Sequence, residues 1–212
     1  MRRVTYLPRL QRQATKRLMR LSLLIDPSLH LDGFELDRRI AFVTIEAANI
    51  WDGFCRSFYL SCALGTHDHS GSRIVGKTRF RNEDQALAYA ISLVSGPKRA
   101  KIFGQSPRDE PDWHQVGVFG KVMRRLDPPN LPNVQSALSV GTSAFTYLQM
   151  FRNFYAHRSE SSAEKTTRAA PRLRVSSSLH PTGILSSVPP GESDTILRDW
   201  LTDLLLVVDL MD

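Results

Sequence analysis

The chain has 212 residues, of which 42% are hydrophobic, 23% charged and 8% aromatic. This globular composition excludes collagen-like, low-complexity and disordered classes, and the length predicts one domain over residues 1–212. The longest apolar candidate, Leu204–Val208, is flanked by acidic residues and is much shorter than the roughly 18 residues that cross a bilayer. We therefore expect no membrane-spanning segment.

The excess positive charge lies at the N-terminus. The net charge is +7, yet from the first acidic residue, Asp26, onward the 21 basic residues equal the 21 acidic ones. The cations that precede Asp26 are Arg2, Arg3, Arg9, Arg12, Lys16, Arg17 and Arg20. Because phosphates attract clustered cations, residues 1–30 predict a basic helix that binds RNA or an acidic partner. The alternatives are the solvated face of a core helix and, less favoured, a targeting peptide.

The spacing of apolar residues predicts helices along most of the chain. In chain order, the predicted helices cover residues 8–25, 35–64, 83–95, 113–126, 133–157 and 193–212. Asn82 and Asn133 are the expected N-caps of the third and fifth helices. No alternating apolar and polar series predicts a strand. The fold class is therefore all-α, a bundle of five to six helices.

Residues 158–192 interrupt this pattern before the last helix. They contain eight serines, four prolines and two glycines, without a sustained apolar period. We predict a flexible excursion here, with a short extended piece at Leu173–Val175.

The cysteines and histidines favour neither a disulfide nor a metal site. Cys55 and Cys62 lie seven positions apart in one helix, about 10 Å along its axis and too far for a disulfide, so we expect reduced core thiols in a cytoplasmic protein. His67 and His69 lie in a Gly- and Ser-flanked loop, where exposed polarity is a better interpretation than metal binding. We expect no metal and no cofactor.

The strongest functional signal is a polar group on an otherwise apolar helix. Arg152, Asn153 and His157 lie close together at its end, just before the predicted flexible segment. An Arg fork matches phosphate oxygens, His moves protons near neutral pH, and Asn adds a neutral donor and acceptor. Together these groups suffice for RNA cleavage without a metal.

This pattern resembles the Arg-polar-x3-His signature of HEPN domains, a superfamily of small α-helical proteins that includes many prokaryotic ribonucleases. Residues 46–61 are similar to a helix of bacterial HEPN proteins of unassigned function. The resemblance covers roughly residues 35–157 and the last helix. It implies a HEPN-like bundle in which Arg152, Asn153 and His157 are catalytic.

The activity that the resemblance implies is metal-independent RNA cleavage. The RNA 2′-OH attacks the adjacent phosphorus and leaves a 2′,3′-cyclic phosphate and a free 5′-OH. His157 would transfer protons, Arg152 would bind the scissile phosphate, and Asn153 would position the phosphate or the histidine. The implied setting is a toxin–antitoxin or phage-defence system, with RNA as substrate and an antitoxin or defence protein as partner.

Two alternatives remain beside this interpretation. The first is a non-catalytic HEPN-fold module that binds RNA or protein. The second is an unrelated helical protein in which Arg152 and His157 are the polar face of a helix. In HEPN toxins paired with nucleotidyltransferase antitoxins, a modified Tyr commonly follows two residues after the His. Ser159 stands there in this chain, which argues against that mode of neutralisation.

The resemblance to HEPN ribonucleases implies a homodimer, and helix geometry leaves room for one. Positions 152 and 157 point about 140° apart on an ideal helix, so they converge only if the helix ends or distorts near Ala156, or if a second subunit completes the site. HEPN ribonucleases generally act as dimers, which favours the second route. The apolar face available for the core or for a dimer interface comprises Phe145, Leu148, Phe151, Phe154 and Tyr155.

Further side chains are candidates for the site. Glu46 either orients Arg152 or forms a locally satisfied pair with Asn49, three residues away. Arg56 either binds phosphate or forms a surface salt bridge. The other candidate RNA-binding residues are Arg158 and a basic loop, whose more frequent outcome is a solvated charge run, formed by Lys98, Arg99 and Lys101.

Overall fold

Helices dominate the structure. The computed structural model describes residues 6–26, 33–96 and 109–211, of which 70% are helical and 2% lie in strands. The all-α fold class is therefore confirmed. In these described ranges, no helix combines the length and the apolar character that a membrane crossing requires.

The described residues form nine α-helices and one short antiparallel hairpin, rather than five or six helices. In chain order, the elements are α1 (Leu7–Leu24), α2 (Gly33–Leu64), β1 (Thr66–His67), β2 (Arg73–Ile74), α3 (Glu83–Ser95), α4 (Val116–Leu126), α5 (Leu131–Leu138), α6 (Ala144–His157), α7 (Glu160–Ala169), α8 (Pro181–Ser186) and α9 (Ile196–Leu210).

The predicted helix over residues 133–157 is divided in two. Asn130, not Asn133, precedes the first piece, α5, and α6 begins only at Ala144. Between them Gly141 has a φ of 69°, in the left-handed region that glycine adopts without strain. The apolar period crosses this break, which is why the sequence suggests one helix.

The expectation of an irregular chain over residues 158–192 is wrong. Two helices, α7 and α8, lie in this segment. The predicted extended piece starts at the last residue of a 3₁₀ helix, Ala170–Leu173, and continues into a turn at Arg174. Ser159 Oγ accepts from the backbone N–H of Ser162 and caps α7. Serines that suggest a loop by composition therefore act here as helix caps.

Two compact units divide the chain. The first comprises Met1–Ala14, Trp51–Val140 and Val207–Asp212, and the second comprises Thr15–Ile50 and Gly141–Leu206. The Arg152–His157 motif belongs to the second unit.

Aromatic side chains fill the core of the first unit. The rings of Tyr59 and Trp113 stack with their centroids 5.0 Å apart, and Tyr59 Oη donates to the carbonyl of Ala86 at 2.6 Å. Cys55 and Cys62 are buried and free, as predicted, and burial raises the pKa of both thiols. Neither cysteine is therefore a nucleophile near neutral pH.

The second unit has its own apolar core. The ring of Phe151 meets that of Trp200 edge to face, with centroids 5.7 Å apart. Trp200 is 2% exposed, and its indole Nε1 donates to Ser143 Oγ at 2.7 Å. These contacts hold α6, which carries the motif, against α9.

Gly76 tolerates no side chain, because a Cβ atom there would lie 2.9 Å from the carbonyl oxygen of Leu126 and closer still to its side chain. We expect Gly76→Ala to lower the free energy of unfolding by about 1–3 kcal/mol, the usual cost of overpacking. Gly53→Ala is the matched control, since Gly53 lies within α2 with open space around its Cβ position. It should stabilise the protein by about 0.5–1 kcal/mol. Urea unfolding of both variants measures the difference, and equal stabilities would contradict the close approach.

Candidate functional site

The motif lies on the outward face of the last turns of α6. Leu148, Phe151 and Phe154 of this helix are buried, whereas Asn153 and His157 are exposed and Arg152 is half-buried. Leucine and phenylalanine at helical spacing thus anchor the helix and leave the polar residues toward solvent. The three predicted catalytic residues therefore lie outside the apolar core of the second unit.

Asn153 links the motif arginine to a neighbouring glutamine. Its Oδ1 accepts from Arg152 Nη1 and from Gln149 Nε2, both at 3.3 Å. Asn153 and His157 are four residues apart, so they lie on one side of the helix. The Arg152 side chain thus bends toward the side that carries His157, although the two Cα positions differ by about 140° around the axis.

His157 is the last residue of α6. The helix remains regular through Ala156, so the distortion that would bring positions 152 and 157 together is not present. Among the described residues, none forms a hydrogen bond to the His157 imidazole. The ring is accessible, and no described side chain bonds to it directly.

Arg158 ends the helix in a strained conformation. Its φ and ψ of 44° and 37° are left-handed, and its backbone N–H donates to the carbonyl of Phe154 at 2.6 Å. For a residue other than glycine, this conformation costs about 1–2 kcal/mol. The guanidinium donates from Nη2 to Asp37 Oδ2 at 2.8 Å and lies 5.9 Å from the centre of the Tyr155 ring. The predicted RNA-binding residue is therefore paired with a carboxylate.

A second hydrogen bond reaches the same carboxylate. Thr182 Oγ1 donates to Asp37 Oδ1, and the hydroxyl groups of Tyr155 and Thr182 are 3.1 Å apart. Burial alone would raise the pKa of Asp37, but the hydrogen bonds from Thr182 and Arg158 outweigh it and the pKa lies below its usual value. Asp37 is therefore ionised at neutral pH.

Glu46 and Asn49 form the locally satisfied pair. Asn49 Nδ2 donates to Glu46 Oε1 at 3.3 Å, and Arg17 Nη2 donates to Glu46 Oε2 at 3.2 Å. The prediction that Glu46 orients Arg152 is wrong, because both carboxylate oxygens bind other residues and Arg152 bonds to Asn153.

Arg56 forms a salt bridge and is therefore not a free cation for phosphate binding. Its Nε and Nη2 donate to the two carboxylate oxygens of Glu110 at 2.6 and 2.9 Å. Hydrogen bonding to Glu110, more than any other cause, raises the pKa of Arg56. Of the remaining cations, the basic loop formed by Lys98, Arg99 and Lys101 lies outside the described residues, as do Arg2 and Arg3.

The exposed side of α1 carries the N-terminal charge. Arg9, Arg12, Lys16 and Arg20 are exposed, and within the described ranges no carboxylate pairs with them, whereas Arg17 binds Glu46. The helix itself contains no acidic residue. This arrangement agrees both with a surface for polyanions and with an ordinary solvated face.

The apolar face of α6 belongs to the core. Leu148, Phe151 and Tyr155 are buried within the chain, and Phe145 is half-buried. Leu148, Phe151 and Tyr155 therefore serve the core rather than an interface, and dimerisation through α6 stays a prediction.

His67 is the last residue of β1 and His69 lies in the turn of the β1–β2 hairpin, with both histidines exposed. The Asp68 carboxylate between them accepts from Ser70 Oγ and from the backbone N–H of Ser72. The described part of the chain contains no group of three or more His, Cys, Asp or Glu side chains arranged to hold a metal ion.

Comparisons of the chain with protein-family models, with curated proteins and with solved structures find no match. Support for a function therefore comes from the geometry of α6 and from the resemblance of its motif to the HEPN signature.

Sequence reasoning missed three neighbours of the motif. Gln149 precedes Asn153 by one helical turn, a spacing from which the hydrogen bond was predictable. Asp37 and Thr182 are 121 and 24 residues from Arg158, and no local pattern links them to it.

Proposed function

We propose that this chain is a metal-independent endoribonuclease of the HEPN type, a cytoplasmic toxin or phage-defence effector that cleaves RNA. One observation carries the proposal: the Arg152 guanidinium bonds to Asn153, one turn before an exposed His157 at the end of the helix. A cation that binds phosphate and a group that transfers protons thus lie within the last two turns of one helix, which supports phosphodiester chemistry.

The proposed reaction requires one bond to form and one to break at phosphorus. The 2′-oxygen attacks, the bond to the 5′-oxygen breaks, and the products are a 2′,3′-cyclic phosphate and a 5′-hydroxyl. A neutral imidazole at His157 accepts the 2′ proton, and an imidazolium donates a proton to the leaving 5′-oxygen. Arg152 offsets the charge that grows on the phosphoryl oxygens, and the Asn153 amide fixes the phosphate or the arginine.

We further propose that the active form is a homodimer. Proton removal and proton donation need two differently protonated groups, and one unit offers a single motif histidine. A second copy would supply the other and would complete the convergence that the regular helix does not provide. Two aromatic side chains of the second unit, Phe34 and Phe42, are 73% and 53% exposed on α2, which supports an interface there rather than on the apolar face of α6.

Cleavage of RNA in EDTA tests the proposed activity. We expect purified protein to cut single-stranded RNA with EDTA present, because no step uses a metal. The products should carry cyclic phosphate and 5′-hydroxyl ends. The 5′-hydroxyl ends accept phosphate directly from polynucleotide kinase, whereas the cyclic phosphate ends resist ligation or extension at the 3′ side. Loss of cleavage upon chelation, or 5′-phosphate ends, would contradict the mechanism.

The alternative is a HEPN-fold module that binds RNA or protein without cleavage, and one observation favours it. In the described part of the chain, no hydrogen bond orients the His157 imidazole, whereas general bases are usually oriented by a third group. Expression in bacteria discriminates the two functions: growth arrest that His157→Ala removes supports the enzyme, and arrest that persists supports binding.

A further inference from the structure

Four side chains from three elements form a directional hydrogen-bonded chain beside the end of the motif helix. A carboxylate only accepts hydrogen bonds, so Thr182 Oγ1 gives its single proton to Asp37. The Tyr155 hydroxyl must then donate to Thr182, and Arg158 donates to the other carboxylate oxygen. α2, α6 and the start of α8 are joined at this one carboxylate.

The backbone at this point is strained, and two contacts hold the side chain of the strained residue. Arg158 is left-handed although it is not glycine, and the turn it makes ends α6 directly after His157. The Arg158 side chain is held by Asp37 on one side and by the face of the Tyr155 ring on the other. Strained residues that their surroundings fix in this way occur preferentially at functional sites.

The charge and the burial of Asp37 agree with a role in holding the Arg158 side chain. Asp37 is largely removed from solvent, and its side chain is 20% exposed, whereas that of Arg158 is 50% exposed. The hydrogen bonds favour the ionised form of Asp37, so the pair is charged at neutral pH. Only Nη2 of the Arg158 guanidinium binds the carboxylate, so the other N–H groups remain available to solvent.

We infer that Asp37 is a positioning residue for His157: it holds Arg158 in the left-handed conformation and so fixes where the motif helix ends and how the imidazole is presented. The expected effect of Asp37 on cleavage rests on the proposed ribonuclease function. Its expected effect on the position of the His157 ring does not. Asp37 does not touch RNA in this account. Its loss therefore slows the chemical step and leaves RNA binding unchanged.

The kinetic test uses Asp37→Asn, which keeps the size of the side chain and an acceptor for Thr182 but removes the charge. We expect kcat to fall about 10- to 100-fold, as for other small misplacements of reacting groups, with KM for RNA within about twofold. Arg158→Lys should retain most of the activity. In an Arg158→Ala background, Asp37→Asn should cause no further loss, because the carboxylate acts through that arginine. Glu164→Gln, which breaks the exposed Glu164–Arg168 ion pair, is the matched control.

Independent losses of activity from Arg158→Ala and Asp37→Asn would overturn the inference. A rise in the KM of Asp37→Asn for RNA without a fall in kcat would also overturn it, because Arg158 would then be a direct RNA contact. Histidine NMR separates this inference from the proposed function. The ring resonances of His157 should shift in Asp37→Asn and not in Glu164→Gln, whether or not the protein cleaves RNA. Unchanged His157 resonances in a folded Asp37→Asn protein would overturn the positioning role even if the wild type is a ribonuclease.

Discussion

Replacing either charged motif residue is expected to remove nearly all RNA cleavage. His157→Ala should lower kcat by about 10²–10⁴-fold, the usual contribution of general acid–base catalysis. Arg152→Ala should have an effect of about 10²–10³-fold, because the charge on the phosphoryl oxygens is then no longer offset. Initial rates on a fluorescent RNA at saturating concentration measure both losses.

Stability provides the internal check on this prediction. His157 is exposed and Arg152 is half-buried, so each variant should unfold within about 0.5 kcal/mol of the wild type. His67→Ala and Arg172→Ala are the matched controls, since both residues are exposed outside the motif and should leave the rate unchanged. A motif variant that cleaves at the wild-type rate would remove that residue from the mechanism.

The largest expected effect on stability is that of Trp200→Ala. Trp200 is 2% exposed, packs edge to face on Phe151 and donates to Ser143. Its loss should lower the free energy of unfolding by about 3–5 kcal/mol through the cavity it leaves. Because Phe151 lies next to Arg152 on the motif helix, cleavage should fall together with stability.

Two further variants separate packing from the hydrogen bond. Trp200→Phe keeps an aromatic ring and removes the indole N–H. It should therefore lower the free energy of unfolding much less than Trp200→Ala does. Leu206→Ala on the same helix is the exposed control, since Leu206 is 48% exposed and should change stability little. A Trp200→Ala protein as stable as the Leu206→Ala protein would contradict the packing of α6 on α9.

The parts of the fold that depend on local sequence were predictable. Ile40, Val43 and Phe58 follow the helical period and are buried along α2. Asn82 caps α3, with its Oδ1 accepting from the backbone N–H of Gln85 at 3.0 Å, and Gly96 ends that helix with a φ of 88°. Caps and apolar stripes depend on residues that are a few positions apart, so they can be predicted from the sequence alone.

The parts that depend on distant residues were not predictable. Serines over residues 158–192 are typical of loops, yet Ser159 caps a helix there. The choice between an Arg158 that binds RNA and one that is paired is decided by Asp37, 121 positions away. Likewise, the sequence placed Phe151 and Tyr155 on an apolar face but contained no sign of whether that face meets the core or a second subunit.

One substrate modification tests the central claim most directly. After the preferred cleavage site in an RNA has been mapped, a single 2′-deoxy nucleotide is placed on its 5′ side and cleavage is measured in EDTA. Attack by the 2′-OH is the first step, so we predict that the modified linkage stays intact while the protein still binds the RNA and cuts other linkages. Cleavage of the 2′-deoxy linkage at the unmodified rate would contradict the account, because a different nucleophile would then be acting.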